Sequence, residues 1–175
     1  MKKEKPKISI IVGSDSDLKV MIDAVEILEM FKIDFDITII SAHRDQEKLF
    51  VYLETIKEIG VDLIIAGAGA AAALPGVIAS KVICPVIGVP IKGSFLDGLD
   101  ALLSIVQMPH GIPVATVGVN GAKNAALLAI EILALRYPKF SLKIEKYRKN
   151  MEQEIKEKRE KLSRLGIKKY IELQK

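Results

Sequence analysis

Ile8-Ser9-Ile10-Ile11-Val12-Gly13-Ser14-Asp15-Ser16-Asp17 compresses a strand, a turn and a helix start into ten residues. Ile8, Ile10, Ile11 and Val12 are β-branched, stiff at χ1 and suited to a pleated surface. Gly13 ends the run, and Ser14 to Asp17 are four residues that favour helix N-caps over helix interiors. Leu18, Met21, Ile22, Val25 and Leu28 then recur at the spacing of one helical face. Strand, polar turn and amphipathic helix make the opening of a βαβ unit.

The same alternation continues down the chain. Residues 35–40 form a second apolar run, and Leu49, Leu53, Ile56 and Ile59 mark a helix that stops at Gly60. A third strand is expected at 62–66, the loop Gly67-Ala68-Gly69-Ala70-Ala71-Ala72-Ala73 after it, and a short helix at 74–81. A fourth strand is expected at 85–89, ended by Pro90, with a helix at 95–107. Residues 114–119 read as a fifth strand, leading through Asn120-Gly121 into an alanine-rich helix that ends before Pro138. Strands that are unbroken apolar runs, separated by helices, belong to a parallel sheet buried on both faces. The architecture expected is a three-layer α/β/α sandwich, flavodoxin-like, with strand order 2-1-3-4-5. Residues 1–139 make that domain. Residues 140–175 read as a C-terminal helical arm whose broken apolar stripe (Leu142, Tyr147, Met151, Ile155, Leu162, Leu165) suits packing on a neighbouring subunit.

Charge divides the same way. Residues 143–175 hold 12 Lys and Arg against 6 Glu, whereas 1–142 hold 14 basic and 16 acidic residues, so the net +4 belongs to the arm. Glutamates alternate with the lysines there, which reads as a solvated helix face held by i,i+4 pairs and not as a nucleic-acid or membrane surface. Residues 2–7 are a polar lead-in. No apolar run has the length of a membrane span, so a cytoplasmic setting is expected. The single Cys84, between Ile83 and Pro85, reads as a buried, inert thiol.

In an open α/β sheet, ligands bind beyond the carboxyl ends of the strands at the switch point. With order 2-1-3-4-5, three loops meet there: 13–17, 41–44 and 67–73. Ser14 and Ser16 offer hydroxyls at a helix start. Ser41-Ala42-His43-Arg44 offers a hydroxyl, an imidazole (histidine being the side chain type whose unperturbed pKa lies nearest neutrality) and a guanidinium fork for phosphate. Asp15 and Asp17 would repel phosphate and are better suited to ribose hydroxyls, while Gly67-Ala68-Gly69 lets a ligand approach the backbone. Caps and tight turns account for each loop alone; three ligand-like loops at one edge make a site. Two histidines and one cysteine supply no metal cluster. Neither a dinucleotide fingerprint nor a phosphate-binding Gly-Lys-Ser/Thr loop is present, and the chain lacks tryptophan. What remains is cofactor-free proton transfer on a small phosphorylated ligand, with His43 as acid and base.

Gly-Ser-Asp-Ser-Asp at 13–17, Ser-Ala-His-Arg at 41–44, Ala-Gly-Ala-Gly at 66–69, Leu-Pro-Gly at 74–76, Pro-Val-Ile-Gly-Val-Pro at 85–90, Ser-Ile-Val-Gln-Met-Pro at 104–109 and Lys-Asn-Ala-Ala-Leu-Leu-Ala at 123–129 together resemble the N5-carboxyaminoimidazole ribonucleotide mutase family of purine biosynthesis. The resemblance runs over roughly residues 8–137. It implies conversion of N5-carboxyaminoimidazole ribonucleotide to 4-carboxy-5-aminoimidazole ribonucleotide, without metal or cofactor. Carboxylate leaves the ring-attached nitrogen as CO2, and the aminoimidazole carbon captures it and loses a proton. The resemblance implies His43 as the general acid/base, with Ser14, Asp17 and Arg44 on the ribose-phosphate. Gly13, Asp15, Ser41, Ala68, Gly69, Ala73 and Leu74 complete the expected binding set. It also implies a homo-octamer whose C-terminal segments reach neighbouring subunits, and no nucleic-acid or membrane partner.

Two departures qualify it. The family pattern Gly-Ala-Ala-His-Leu-Pro-Gly is Ala70-Ala71-Ala72-Ala73-Leu74-Pro75-Gly76 here, so a substrate-facing histidine is replaced by Ala73 and a glycine by Ala70. The usual Thr-Pro after Ser-Ala-His-Arg is Asp45-Gln46. Ala73 bears on turnover more than on binding. Rival readings are a carboxylase that takes aminoimidazole ribonucleotide and CO2 directly, and a catalytically silent ribonucleotide-binding protein. His110 reads as a surface side chain.

Overall fold

A computed structural model describes residues 6–174 of the chain; most of the polar lead-in expected at 2–7 lies outside them. The described residues fall into two compact units that divide between Leu133 and Ala134. In the first unit the strands are β1 (Lys7–Val12), β2 (Asp34–Ile39), β3 (Leu63–Gly69), β4 (Val86–Ile91) and β5 (Ala115–Thr116). They form one parallel sheet in the order β2-β1-β3-β4-β5. Between them run α1 (Leu18–Phe31), α2 (Gln46–Glu58), α3 (Leu74–Ala79) and α4 (Leu99–Val106), and α5 (Ala122–Ala134) follows. The second unit is built on α6 (Lys139–Glu172), broken at Gly166, where φ is 71° and ψ is 161°. No described helix is long and apolar enough to cross a membrane.

The core follows the hydrophobic pattern. Ile8, Ile10, Ile11 and Val12 of β1, and Leu63, Ile64, Ile65 and Ala66 of β3, are fully buried at the middle of the sheet. Met21, Ala24, Ile27 and Leu28 present the buried face of α1, whereas Ile22 stands in solvent, and Ile59 is likewise exposed just beyond α2. Helical spacing marks a stripe wider than the sheet can cover. Edge strand β2 also departs from the expectation of burial on both faces: Ile37 and Ile39 are exposed. Ser9 is the buried polar residue of β1, and it is matched. Its Oγ donates to Asp36 Oδ2 (3.1 Å) and meets Tyr52 Oη at 2.8 Å, and Tyr52 donates to the same carboxylate. Burial, then the bond to Asp36, pushes the Tyr52 hydroxyl well above the ordinary phenol range, so it stays a donor that ties α2 to β1 and β2.

Three boundaries differ from the sequence expectation. β3 runs on through Gly69, so the loop after it is only residues 70–73. β4 runs through Pro90 to Ile91. In a parallel strand the N–H and C=O of one residue point to the same side, and Pro90 O accepts from Asn120 N (2.8 Å) on the β5 side. β5 pairs only with Ile87 and Gly88, so the N–H that proline lacks would have met no strand. β5 itself is two residues long: Val117 N still bonds Gly88 O (3.2 Å), after which Asn120, at φ 56°, turns the chain. The helix expected at 95–107 is interrupted as well. Leu96, Asp97 and Gly98 all have positive φ, and regular helix begins only at Leu99. Cys84 is half-buried, and desolvation raises its thiol pKa.

At Gly88 the sheet leaves no room for a side chain beneath α4. A Cβ built there would lie 2.4 Å from Ile105 Cγ2 and 3.1 Å from Val114 Cγ1. Gly88→Ala is therefore expected to force α4 off β4 and lower stability by about 1–3 kcal/mol, read as a lower urea midpoint. An unchanged midpoint would show that α4 packs more loosely than this.

Candidate active site

At the carboxyl ends of β1 to β4 lies a cleft of about 460 Å³, within the range of small-molecule sites. Three of its walls are the loops singled out in the sequence. The first follows β1. Ser14 caps the single turn Asp15–Asp17: its Oγ accepts from Ser16 N (3.4 Å) while Asp17 Oδ2 accepts from Ser14 N (3.1 Å), a reciprocal capping box. Ser16 Oγ donates to Ser14 Oγ (2.9 Å), which leaves both hydroxyls at the cleft. Asp17 is buried and lines the cleft, whereas Asp15 is exposed, does not line it, and accepts from Ser14 Oγ and Ser16 N. Only one of the two carboxylates is thus placed to meet a ligand.

The second wall is the turn Ser41-Ala42-His43-Arg44, which stands ahead of α2 and is not its first turn. Asp45 N bonds Ser41 O (2.9 Å), and Arg44 N donates to Ser41 Oγ (3.3 Å). The guanidinium then leans across to the first loop: Nε donates to Ser41 Oγ (3.4 Å) and Nη2 to Gly13 O (3.3 Å). Those bonds use two of its five donors and orient the fork towards the cleft. His43 is exposed beside it and lines the same cleft, whereas His110 is exposed and does not line it.

The third wall is Ala68 to Leu74. It offers methyl groups and main chain only, and Gly69 packs so closely that a Cβ there would come 3.3 Å from Ile91 O. Ala72 N closes the turn on Gly69 O (3.0 Å). Ala70 and Ala72 sit at φ 53° and 34°, left-handed values that cost an L-residue about 1–2 kcal/mol each. Strain of this kind concentrates where the backbone has been shaped for a ligand. Ala73, in helical conformation at the head of α3, is half-buried at the cleft.

Every expected binding residue except Asp15 lines this one cleft, and His43 lines it with them. A fourth wall has no counterpart in the sequence reading: Ile91 at the end of β4, with Lys92 and Gly93 after it. The strand order carried the signal, because β4 lies next to β3 and its loop must open on the same edge. Among the described residues there is no group of three or more His, Cys, Asp or Glu that could hold a metal. The arrangement supplies a cation and hydroxyls for a phosphate, a carboxylate for sugar hydroxyls, an imidazole for proton transfer and an apolar wall.

Residues 7–154 match the family model described as AIR carboxylase. The chain is 55% identical to the N5-carboxyaminoimidazole ribonucleotide mutase of Pyrococcus horikoshii, over 98% of this chain and 97% of that one. It is 54% identical to the enzyme of that name from Thermotoga maritima, over 95% and 97%. It is also 50% identical to the phosphoribosylaminoimidazole carboxylase of Schizosaccharomyces pombe, over 95% of this chain but 30% of the relative. Among solved structures, Treponema denticola PurE superimposes with a TM-score of 0.82 at 30% identity, covering 93% of this chain and all of that one.

Burial is the main influence on Asp17 and raises its pKa above the ordinary 3.8; hydrogen bonds from Ser16 and Ser14 oppose the rise and the Asp15 charge adds to it. Between the unfolded and the raised folded value the native state holds more protons. This carboxyl's contribution to stability is therefore greatest below 3.8 and declines as pH rises through the folded value. Asp17→Asn is expected to remove that decline in a series of urea midpoints against pH, and the carbon NMR titration of Asp17 should have its midpoint above 3.8. A midpoint at or below 3.8 would contradict the desolvated environment.

Proposed function

Because the chain belongs to the AIR carboxylase family, we propose that it is an isomerase of purine biosynthesis, converting N5-carboxyaminoimidazole ribonucleotide to 4-carboxy-5-aminoimidazole ribonucleotide. The observation that carries this reading is the meeting of His43, Arg44 and Asp17 at one cleft in a chain that spans nearly the full length of relatives named mutase. The relatives named carboxylase are covered only to 29–30%, which favours the mutase over direct carboxylation.

The chemistry follows from the four walls. Arg44, with Ser14 and Ser16, receives the phosphate, and Asp17 accepts from the ribose hydroxyls. Protonated His43 gives its proton to the exocyclic nitrogen as the N–C bond to the carboxylate breaks, releasing CO2 and the neutral amine. The enamine-like ring carbon then attacks CO2, forming the C–C bond. His43 takes the proton that this carbon loses, and the imidazole returns to its starting state. The alanine wall at 68–74 holds CO2 beside the ring between the two steps, where there is little to hydrate it.

Ala73 stands where the family pattern has a histidine, and the cleft retains His43 as its imidazole. The proposed enzyme is cytoplasmic and octameric. Leu142, Met151, Ile155 and Leu162 are exposed along α6, and such a stripe suits burial against another subunit. Sedimentation should give about eight times the 19.2 kDa chain mass; a monomer would count against the octamer.

The purified protein should convert the N-carboxylated ribonucleotide with no added bicarbonate. Ala73→His should raise kcat by about tenfold or more, the scale of one positioned acid/base group, without a matching change in KM. A strict requirement for bicarbonate would turn the assignment to the carboxylase. Ligand-induced stabilisation without product, from both wild type and Ala73→His, would turn it to a silent binder.

A further inference from the structure

Lys92 gives the lining of the cleft a second basic residue, to which the reaction above assigns no role. Lys92 follows β4 as Arg44 follows β2, and in the order β2-β1-β3-β4 two strands lie between them. Strand spacing alone puts their attachment points roughly 14 Å apart. Arg44 is drawn to the β1 side by its bond to Gly13 O, and the alanine wall after β3 lies between the loops that carry the two cationic residues.

The main chain at Lys92 is held firmly. Asn120 Oδ1 accepts from Lys92 N (2.8 Å), while the main-chain N–H of Asn120 donates to Pro90 O (2.8 Å), so one residue clamps the end of β4. The Lys92 side chain is held loosely by comparison. Its Nζ pairs with Asp97 Oδ1 at 2.9 Å, both side chains are more than half exposed, and Asp97 sits in the positive-φ turn before α4. An exposed pair of that kind contributes little, and its cation is readily given up to a better-placed anion.

On the mutase reading, substrate and product each carry two anionic ends, a phosphate and a carboxylate, on opposite sides of the ribose and the ring. We infer that Lys92 is a further substrate-binding residue, and that its ammonium leaves Asp97 to pair with the carboxylate end while Arg44 holds the phosphate. Lys92 thereby separates carboxylated from uncarboxylated ribonucleotides. The neutral CO2 between the two steps has no hold on it. When the new C–C bond restores a carboxylate, the ammonium is again its partner.

The test is equilibrium binding to the full chain by calorimetry, with 4-carboxy-5-aminoimidazole ribonucleotide and with aminoimidazole ribonucleotide, which has the same phosphate and no carboxylate. Lys92→Gln should weaken the carboxylated ligand by about tenfold or more and leave the other within about twofold. Lys92→Arg should recover most of the loss, and Asp97→Asn should tighten the carboxylated ligand, since the resting competitor is gone. Equal weakening of both ligands by Lys92→Gln would place the lysine on the phosphate and overturn the inference, as would no change in either. Those results, obtained with a wild type that binds both and turns over, would defeat the role of Lys92 alone. A wild type that binds neither ligand would defeat the mutase reading, and this inference with it.

Discussion

β1 is hydrogen-bonded in parallel to β2 on one edge and to β3 on the other, and this double pairing is the constraint behind the site. A parallel neighbour can be reached only by a crossover, and the chain steps from β1 to β2 in one direction along the sheet and from β3 to β4 in the other. The loops after β1, β2 and β3 are consequently brought to one edge with a crevice between them. Short bonds then close the crevice: Gly13 N to Gly67 O at 3.3 Å, Ile40 N to Val12 O at 2.8 Å, and Arg44 Nη2 to Gly13 O. Gly67 belongs to the same constraint, since a Cβ there would sit 3.0 Å from the Met21 sulfur. A side chain there would require Met21 to shift against α1's contact with β3.

Around that crevice the charges are sorted by strand. The lone carboxylate of the lining, Asp17, is buried in the capping box and burdened by desolvation, which a partner with hydroxyl donors relieves. The two basic residues of the lining stand on the loops of β2 and β4, and between them lies a wall of alanine and glycine. A ligand that is anionic at both ends and uncharged between them matches this distribution. The positive φ at Ala70 and Ala72 is the conformational cost of the wall, and the packed ends of β3 and α3 hold it in place.

Most of the framework was legible from residue order. β-Branched runs and N-cap clusters mark the alternation, and the order 2-1-3-4-5 is the expected solution for five such units. The misreadings have identifiable causes. Pro90 reads as a strand end because proline lacks a donor, yet β5 is too short to need one. Ile22 and Ile59 keep helical spacing, but the faces they occupy meet no described layer that covers them. Asp15 and Asp17 are equivalent in sequence, and a capping box turns only Asp17 inwards. Lys92 carries no local motif; only adjacency of β4 to β3 brings it to the cleft.

Composition, periodicity and motif order by themselves settled the class of fold, the family and the three loops that meet at the cleft, because strand and helix formation and loop composition are written in residues close together along the chain. Which carboxylate points inwards, how far β3 and β4 extend, and which lysine comes to the cleft were decided only by the tertiary structure. Those outcomes depend on hydrogen bonds and packing between residues tens of positions apart, such as Gly13 with Arg44 and Lys92 with Asn120, and no local pattern encodes such a pairing.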